Sequence, residues 1–156
     1  MRLTLIALLL AGVAGCGTQP ATDGGRDEEP ALSFEETLNA AEQGDASGQV
    51  ELGRMYYHGE GVPEDHAEAV KWWRKAAEQG HASGQHTLGG MYANGEGVPE
   101  DDVEACAWYS VAAANGDEYA IEGLPKAKAQ LTPEQLAAAR KRATELIEQI
   151  NASKAR

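Results

Sequence analysis

Four histidines, two cysteines and a cluster of loop acids are the residues here whose types could do chemistry. His81 and His86 stand five apart, so they do not share a helix face as the i, i+4 pair of a zinc helix does, and with His58 and His66 they read as surface histidines. The acids Glu60, Glu64 and Asp65 lack the alternating Asp/Asn pattern of a calcium loop, and Asp65 is placed to cap a helix. No metal and no cofactor is expected. Cys106 takes a position held by Val70 earlier in the chain, which suits a small core residue better than a nucleophile. No Ser-x-x-Lys, P-loop or His-Glu-x-x-His occurs, so no catalytic residue is assigned and the chain is not expected to be an enzyme.

Cys16 is the exception. Arg2 is followed by an apolar run from Leu3 to Val13, too short to span a bilayer but right for the h-region of a signal peptide. It closes on Val13-Ala14-Gly15-Cys16, which resembles a bacterial lipobox; the resemblance implies diacylglyceryl attachment at Cys16 and cleavage before it. Several acyl chains on one residue give stable membrane attachment. Gly17 stands where lipoproteins retained at the inner membrane usually carry Asp, which points by resemblance to the periplasmic face of the outer membrane. Residues 1–15 are thus expected to be signal peptide, and residues 16–32 a lipidated flexible linker poor in apolar residues.

The formal charge of −12 excludes nucleic acid as a natural partner, and removing residues 1–15 takes away one cation and no acid. Cys106 is then alone, and no internal disulfide is expected.

The elements that position everything else come from a duplication. AEQGDASGQVELGRMYYHGEGVPEDHAEAVKWWRKA from Ala41 recurs as AEQGHASGQHTLGGMYANGEGVPEDDVEACAWYSVA from Ala77, with 23 of 36 positions identical. Gly44, Gly80 and Gly116 each follow a helix-favouring stretch and read as C-terminal glycines. First helices are expected over Ala46–Tyr57 and Ala82–Ala93, and second helices, opened by Asp65 with Glu68 and by Asp101 with Glu104 at capping-box spacing, to about Gln79 and Asn115. Gly53 and Gly89, inside the first helices, signal close packing. Ser33 with Glu36 opens a leading helix, and Thr132-Pro133-Glu134-Gln135 opens a closing one to about Ile150 with an apolar stripe through Leu136, Ala139, Ala143, Leu146, Ile147 and Ile150. The third copy decays where Pro125 interrupts it. The expectation is a helical domain over 33–151, with repeats at 41–76 and 77–112 and a cap over 113–151.

The recurring A-x-x-G, L-G-x-M-Y, G-x-G-V and D-x-x-E-A with a late Trp resembles the Sel-1-like repeat, a relative of the tetratricopeptide repeat. The resemblance implies an all-α fold, an α-solenoid of helix-turn-helix repeats with helical caps at both ends, whose first helices line a concave face. It also implies an adaptor that holds a protein or peptide partner. Gly48 and Gly84 depart from the family's usual Ala. Two alternatives stay open: an envelope enzyme acting on cell-wall or β-lactam material, since cysteine-rich relatives are connected with β-lactam binding, and an inhibitor or host-interaction protein that uses its acidic surface to meet a basic partner.

Helical spacing sets Leu52, Met55 and Tyr56, with Leu88, Met91 and Tyr92, toward the core, and Ser47, Val50, Arg54, Tyr57 and His58 roughly opposite. The second set, with His86 and Asn94 from the second copy, is the candidate partner-binding face, weighted toward the first copy because Arg and Tyr dominate interface energetics. Trp72, Trp73, Trp108 and Tyr109 read as inter-helix core, with Trp73 the more exposed of its pair.

Overall fold

Ser33 begins the ordered chain as its sequence implies. Its Oγ accepts from the Glu36 amide at 3.3 Å while its own amide donates to Glu36 Oε2 at 2.9 Å, closing a capping box. This computed structural model describes residues 32–155, and Cys16 with the signal-peptide and linker expectations lies outside them. Among the described residues every regular element is a helix: α1 Phe34–Glu42, α2 Ala46–His58, α3 His66–Glu78, α4 Ala82–Asn94, α5 Asp102–Ala114, α6 Glu118–Ala129 and α7 Pro133–Lys154. No described helix is long and apolar enough to cross a membrane.

The punctuation is periodic. Gly44, Gly80 and Gly116 have φ of 92°, 87° and 86°, the left-handed geometry that lets the chain leave one helix and enter the next across three residues. Asp45, His81 and Asp117 then cap α2, α4 and α6, each side chain accepting from the amide three residues on. Asp65 and Asp101 cap α3 and α5 in the same way, but only half of each expected box forms. Glu68 turns to Lys71 and Glu104 to Arg142, because the Asp65 and Asp101 amides already donate to the Tyr56 and Tyr92 carbonyls.

Helices α1 to α6 pack in chain order, each on the next, which is an α-solenoid. Leu52, Leu88, Val70, Trp73, Trp108 and Val111 fill its core, with Val98 from the second loop packed against it. The internal glycines are where the helices touch. A Cβ on Gly53 would lie 2.5 Å from Trp73 Nε1, and one on Gly89 3.1 Å from the Tyr109 ring. Gly48 and Gly84 do the same for the next contact, where added Cβ atoms would meet the methyls of Ala40 and Ala76 at 3.1 and 3.0 Å. The exposure expected of Trp73 is corrected: it is 4% exposed against 7% for Trp72. Its indole fits over Gly53 and donates to the Val50 carbonyl at 3.1 Å, whereas Trp72 lies nearer the edge with Lys75 Nζ 3.7 Å above its ring.

Two buried amides went unnoticed in the sequence. Gln49 and Gln85 donate to the carbonyls of Ala41 and Ala77 at 3.1 and 3.0 Å and accept from Gln79 and Asn115, both at 2.8 Å, tying each first helix to the helices on either side.

The third copy is also corrected. Pro125 does not interrupt the helix; α6 runs through it from Glu118 to Ala129. Proline removes the donor to the Ile121 carbonyl, but it stands on an exposed side of the helix, where water can take that acceptor. Helix α7 then folds back onto α5 and reaches α3, burying Ala139, Ala143, Leu146 and Ile150, while Ile147 of the expected stripe stays 38% exposed.

Candidate partner-binding groove

Repeat one holds the residues expected to dominate a partner surface, and most are already engaged within the chain. Arg54 spans two acids, with Nη2 2.6 Å from Glu51 Oε1 and Nη1 2.6 Å from Glu60 Oε1. These bonds hold the guanidinium more firmly protonated than usual and draw the Glu60 carboxyl below its ordinary range. The Tyr57 ring stacks on His66 with centroids 4.5 Å apart, meets His58 edge-on and leans toward Trp73. Its hydroxyl donates to Glu96 Oε2 at 2.7 Å, and that bond raises its pKa above the usual phenol value. The Val50 side chain packs against the core. Ser47 and His58 are the fully exposed members of this set, while Arg54 keeps 41% of its side chain in water beside its two acids.

Repeat two is arranged differently. His86 lies between Tyr109 and Tyr119, stacked on the latter at 5.8 Å and 14°, with Nδ1 3.8 Å from Asp117 Oδ1. Asn94 donates to Glu96 Oε1 at 3.3 Å, so one carboxylate joins the two parts of the expected face. His86 and Asn94 open into a groove of about 310 Å³ that Tyr109, Tyr119, Lys126 and Gln130 complete. A Cβ on Gly90 would come within 3.5 Å of Tyr109 Oη. Burial raises the pKa of the Tyr109 phenol and keeps it a neutral donor.

The structure thus brings His86 and Asn94 together, holds Arg54 and Tyr57 in internal contacts beside them, and leaves Ser47 apart. Tyr119, Lys126 and Gln130 were not singled out from the sequence, because the third copy was read as decayed. The 36-residue period could have found them. It places Tyr119 with Ser47 and Ser83, Lys126 with Arg54 and Gly90, and Gln130 with His58 and Asn94. Tyr119 is 75% exposed, an aromatic surface held out at the rim.

Chemically this groove can stack and can donate and accept hydrogen bonds, with one cation, Lys126, and one acid, Asp102, in its lining. The thiol of Cys106 lies away from it inside α5, its pKa raised by burial. Among the described residues no group of three His, Cys, Asp or Glu side chains is placed to hold a metal ion.

A family model described as "Sel1 repeat" matches residues 46–81 and 82–117, each unit beginning with a first helix. Among solved structures the chain is similar to c5321, a protective antigen present in uropathogenic Escherichia coli strains displaying an SLR fold. That likeness has a TM-score of 0.73 and 36% identity, over 75% of this chain and 25% of that one. It is similar to a Sel1 repeat protein from Oxalobacter formigenes, with a TM-score of 0.56 and 42% identity, over 58% of this chain and 37% of that one. It is similar to Helicobacter pylori cysteine rich protein B, with a TM-score of 0.56 and 27% identity, over 57% of this chain and 67% of that one. The chain therefore spans a quarter to a little over a third of the first two. No curated protein matches it.

Proposed function

Two Sel1 repeats in tandem place the chain among the Sel1-like repeat proteins, and from that premise we propose that it is a non-catalytic adaptor. Its partner would be an extended segment of another protein, held in the groove between α4 and α6. Repeats of this kind mediate protein–protein interaction and build scaffolds rather than reaction centres. The observation that carries the reading is the state of the side chains. Tyr119, Lys126, His86 and Asn94 converge on an open groove, while Arg54 and Tyr57 are satisfied inside the chain. A peptide there would stack a side chain against Tyr119 and His86, set its amides on Asn94 and Gln130, and bring an acid to Lys126.

The proposal includes an address. The Val-Ala-Gly-Cys closure supports acylation of Cys16 and display from the outer membrane toward the periplasm, the repeat domain working in water at the end of a tether. Labelling cells with an alkyne fatty acid should mark the wild-type chain and leave Cys16→Ser unmarked. A labelled Cys16→Ser chain would remove the anchor from the proposal.

For the groove, a photo-crosslinking amino acid at Tyr119 or Gly123 in intact cells should capture the same partner bands. The same group at Glu148 of α7, exposed and outside the groove, should not. Equal capture at all three positions would show that the groove is not what the partner reads.

A further inference from the structure

Helix α6 has lost the neighbour that α2 and α4 each possess. Five positions are buried in both earlier helices: Gly48, Gln49, Leu52, Gly53 and Met55 in α2, and Gly84, Gln85, Leu88, Gly89 and Met91 in α4. Their counterparts are Ala120, Ile121, Leu124, Pro125 and Ala127, and of these only Ala120 is buried. Ile121 is 52% exposed, Pro125 is exposed, and Leu124 and Ala127 are half-open. The cause is topological. α3 covers α2 and α5 covers α4, but α7 folds back over α5 and leaves α6 bare on that side.

What fits a bare face of this shape is specified twice within the same chain. α3 and α5 return along α2 and α4 with their starts against the ends of those helices, as the amide bonds from Asp65 to the Tyr56 carbonyl and from Asp101 to the Tyr92 carbonyl record. Each begins with acids, Asp65 and Glu68 or Asp101, Asp102 and Glu104. A third such helix would bring its acidic turn to the end of α6, where Lys126 and Lys128 stand. Neither lysine forms an ion pair among the described residues. One feature must change. Trp73 and Tyr109, eight residues after their capping Asp, sit on Gly53 and Gly89, but the third position is Pro125, whose ring fills that space.

We infer that the exposed face of α6 is a docking site for a helix from a partner protein. That helix is amphipathic, has acids in its first turn, and carries a small residue eight positions after its N-cap. It completes the third repeat in trans, by continuation of the α2–α3 and α4–α5 interfaces; its site centres on Ile121, Leu124 and Pro125, which do not line the groove, and meets the groove at Lys126 and Ala127. Leu124 and Lys128, which lie outside the groove lining, separate this reading from the groove proposal.

The probe is a fluorescent peptide with the sequence of residues 65–79 bearing Trp73→Ala. A staple across the positions of Ala67 and Lys71, which are exposed in α3, keeps it helical. The full chain should bind it saturably in an anisotropy titration. Leu124→Asp should weaken binding about tenfold or more, as expected for losing a buried leucine. Lys128→Gln, outside the groove, should weaken it and reduce its salt dependence. The unsubstituted peptide, which keeps Trp73, should bind less well than the probe, and Pro125→Gly in the chain should restore it. His86→Ala with Tyr119→Ala, in the groove, should leave probe binding unchanged. Circular dichroism checks that each variant is folded. Failure of the wild-type chain to bind the stapled peptide, or equal binding by folded Leu124→Asp, overturns the inference.

Discussion

Gly53 and Gly89 lie under aromatic side chains, while Pro125, the next residue in the same 36-residue frame, lies under nothing. Around them the helices are alike: the capping residue, the left-handed glycine before it and the following leucine recur in α2, α4 and α6. What differs is whether a second helix returns. At this position of the frame, glycine stands where a neighbouring helix approaches closely enough to exclude a Cβ, and proline stands where none does.

The sharpest way to break this contrast is Gly53→Ala. The methyl would sit 2.5 Å from Trp73 Nε1 and dislodge the bond to the Val50 carbonyl. Overpacking and the lost hydrogen bond together should cost about 3 kcal/mol, against a gain of about 1 kcal/mol in helix propensity. Chemical denaturation should therefore show a net loss of about 2 kcal/mol, and an unchanged midpoint would mean that α3 does not press on α2. At the equivalent open site the sign reverses. Pro125→Ala restores an amide and removes no contact, so α6 should gain up to about 2 kcal/mol, read as slower amide exchange in its second half. Gly123→Ala is milder, since nothing lies within 4 Å of an added Cβ there, and should stabilise the same helix by about 1 kcal/mol.

The covered parts of the molecule were legible in the sequence because caps, turn glycines and apolar spacing are local signals. Ser33, Asp65, Asp101 and Thr132 all cap where their residue types and downstream partners imply. The errors share one physical origin: each depended on which helix would come to lie beside another. Trp73 seemed the more exposed indole until α2 supplied a glycine for it to cover. Pro125 marks where the third copy decays, and whether it breaks the helix depends on its surroundings: α6 continues through it on a face that α7 leaves to water. Of the groove, His86 and Asn94 stand out as differences between the copies, whereas Tyr119 and Lys126 belong to a third copy that keeps Ala113, Gly116 and Leu124 of the frame but little else.

The same frame carries a smaller contrast at Tyr57, Ala93 and Ala129, where only the first copy has a side chain able to reach across to Glu96. Tyr57→Phe keeps the stacking on His66 and deletes the hydroxyl, so the cost is that of one partly exposed hydrogen bond, about 0.5 kcal/mol. Its pH dependence has a definite sign. The hydroxyl donates only while protonated, and its pKa in the folded chain lies above the unfolded value near 10.0. The stabilisation is therefore complete below pH 10 and disappears as pH rises through the folded value. Unfolding wild type and Tyr57→Phe side by side from pH 8 to 11 should show a constant gap up to about pH 10 that closes above it. A gap that widened with alkali would mean that the Glu96 contact is not what holds Tyr57 in place, and that the first copy is as free to meet a partner as the second.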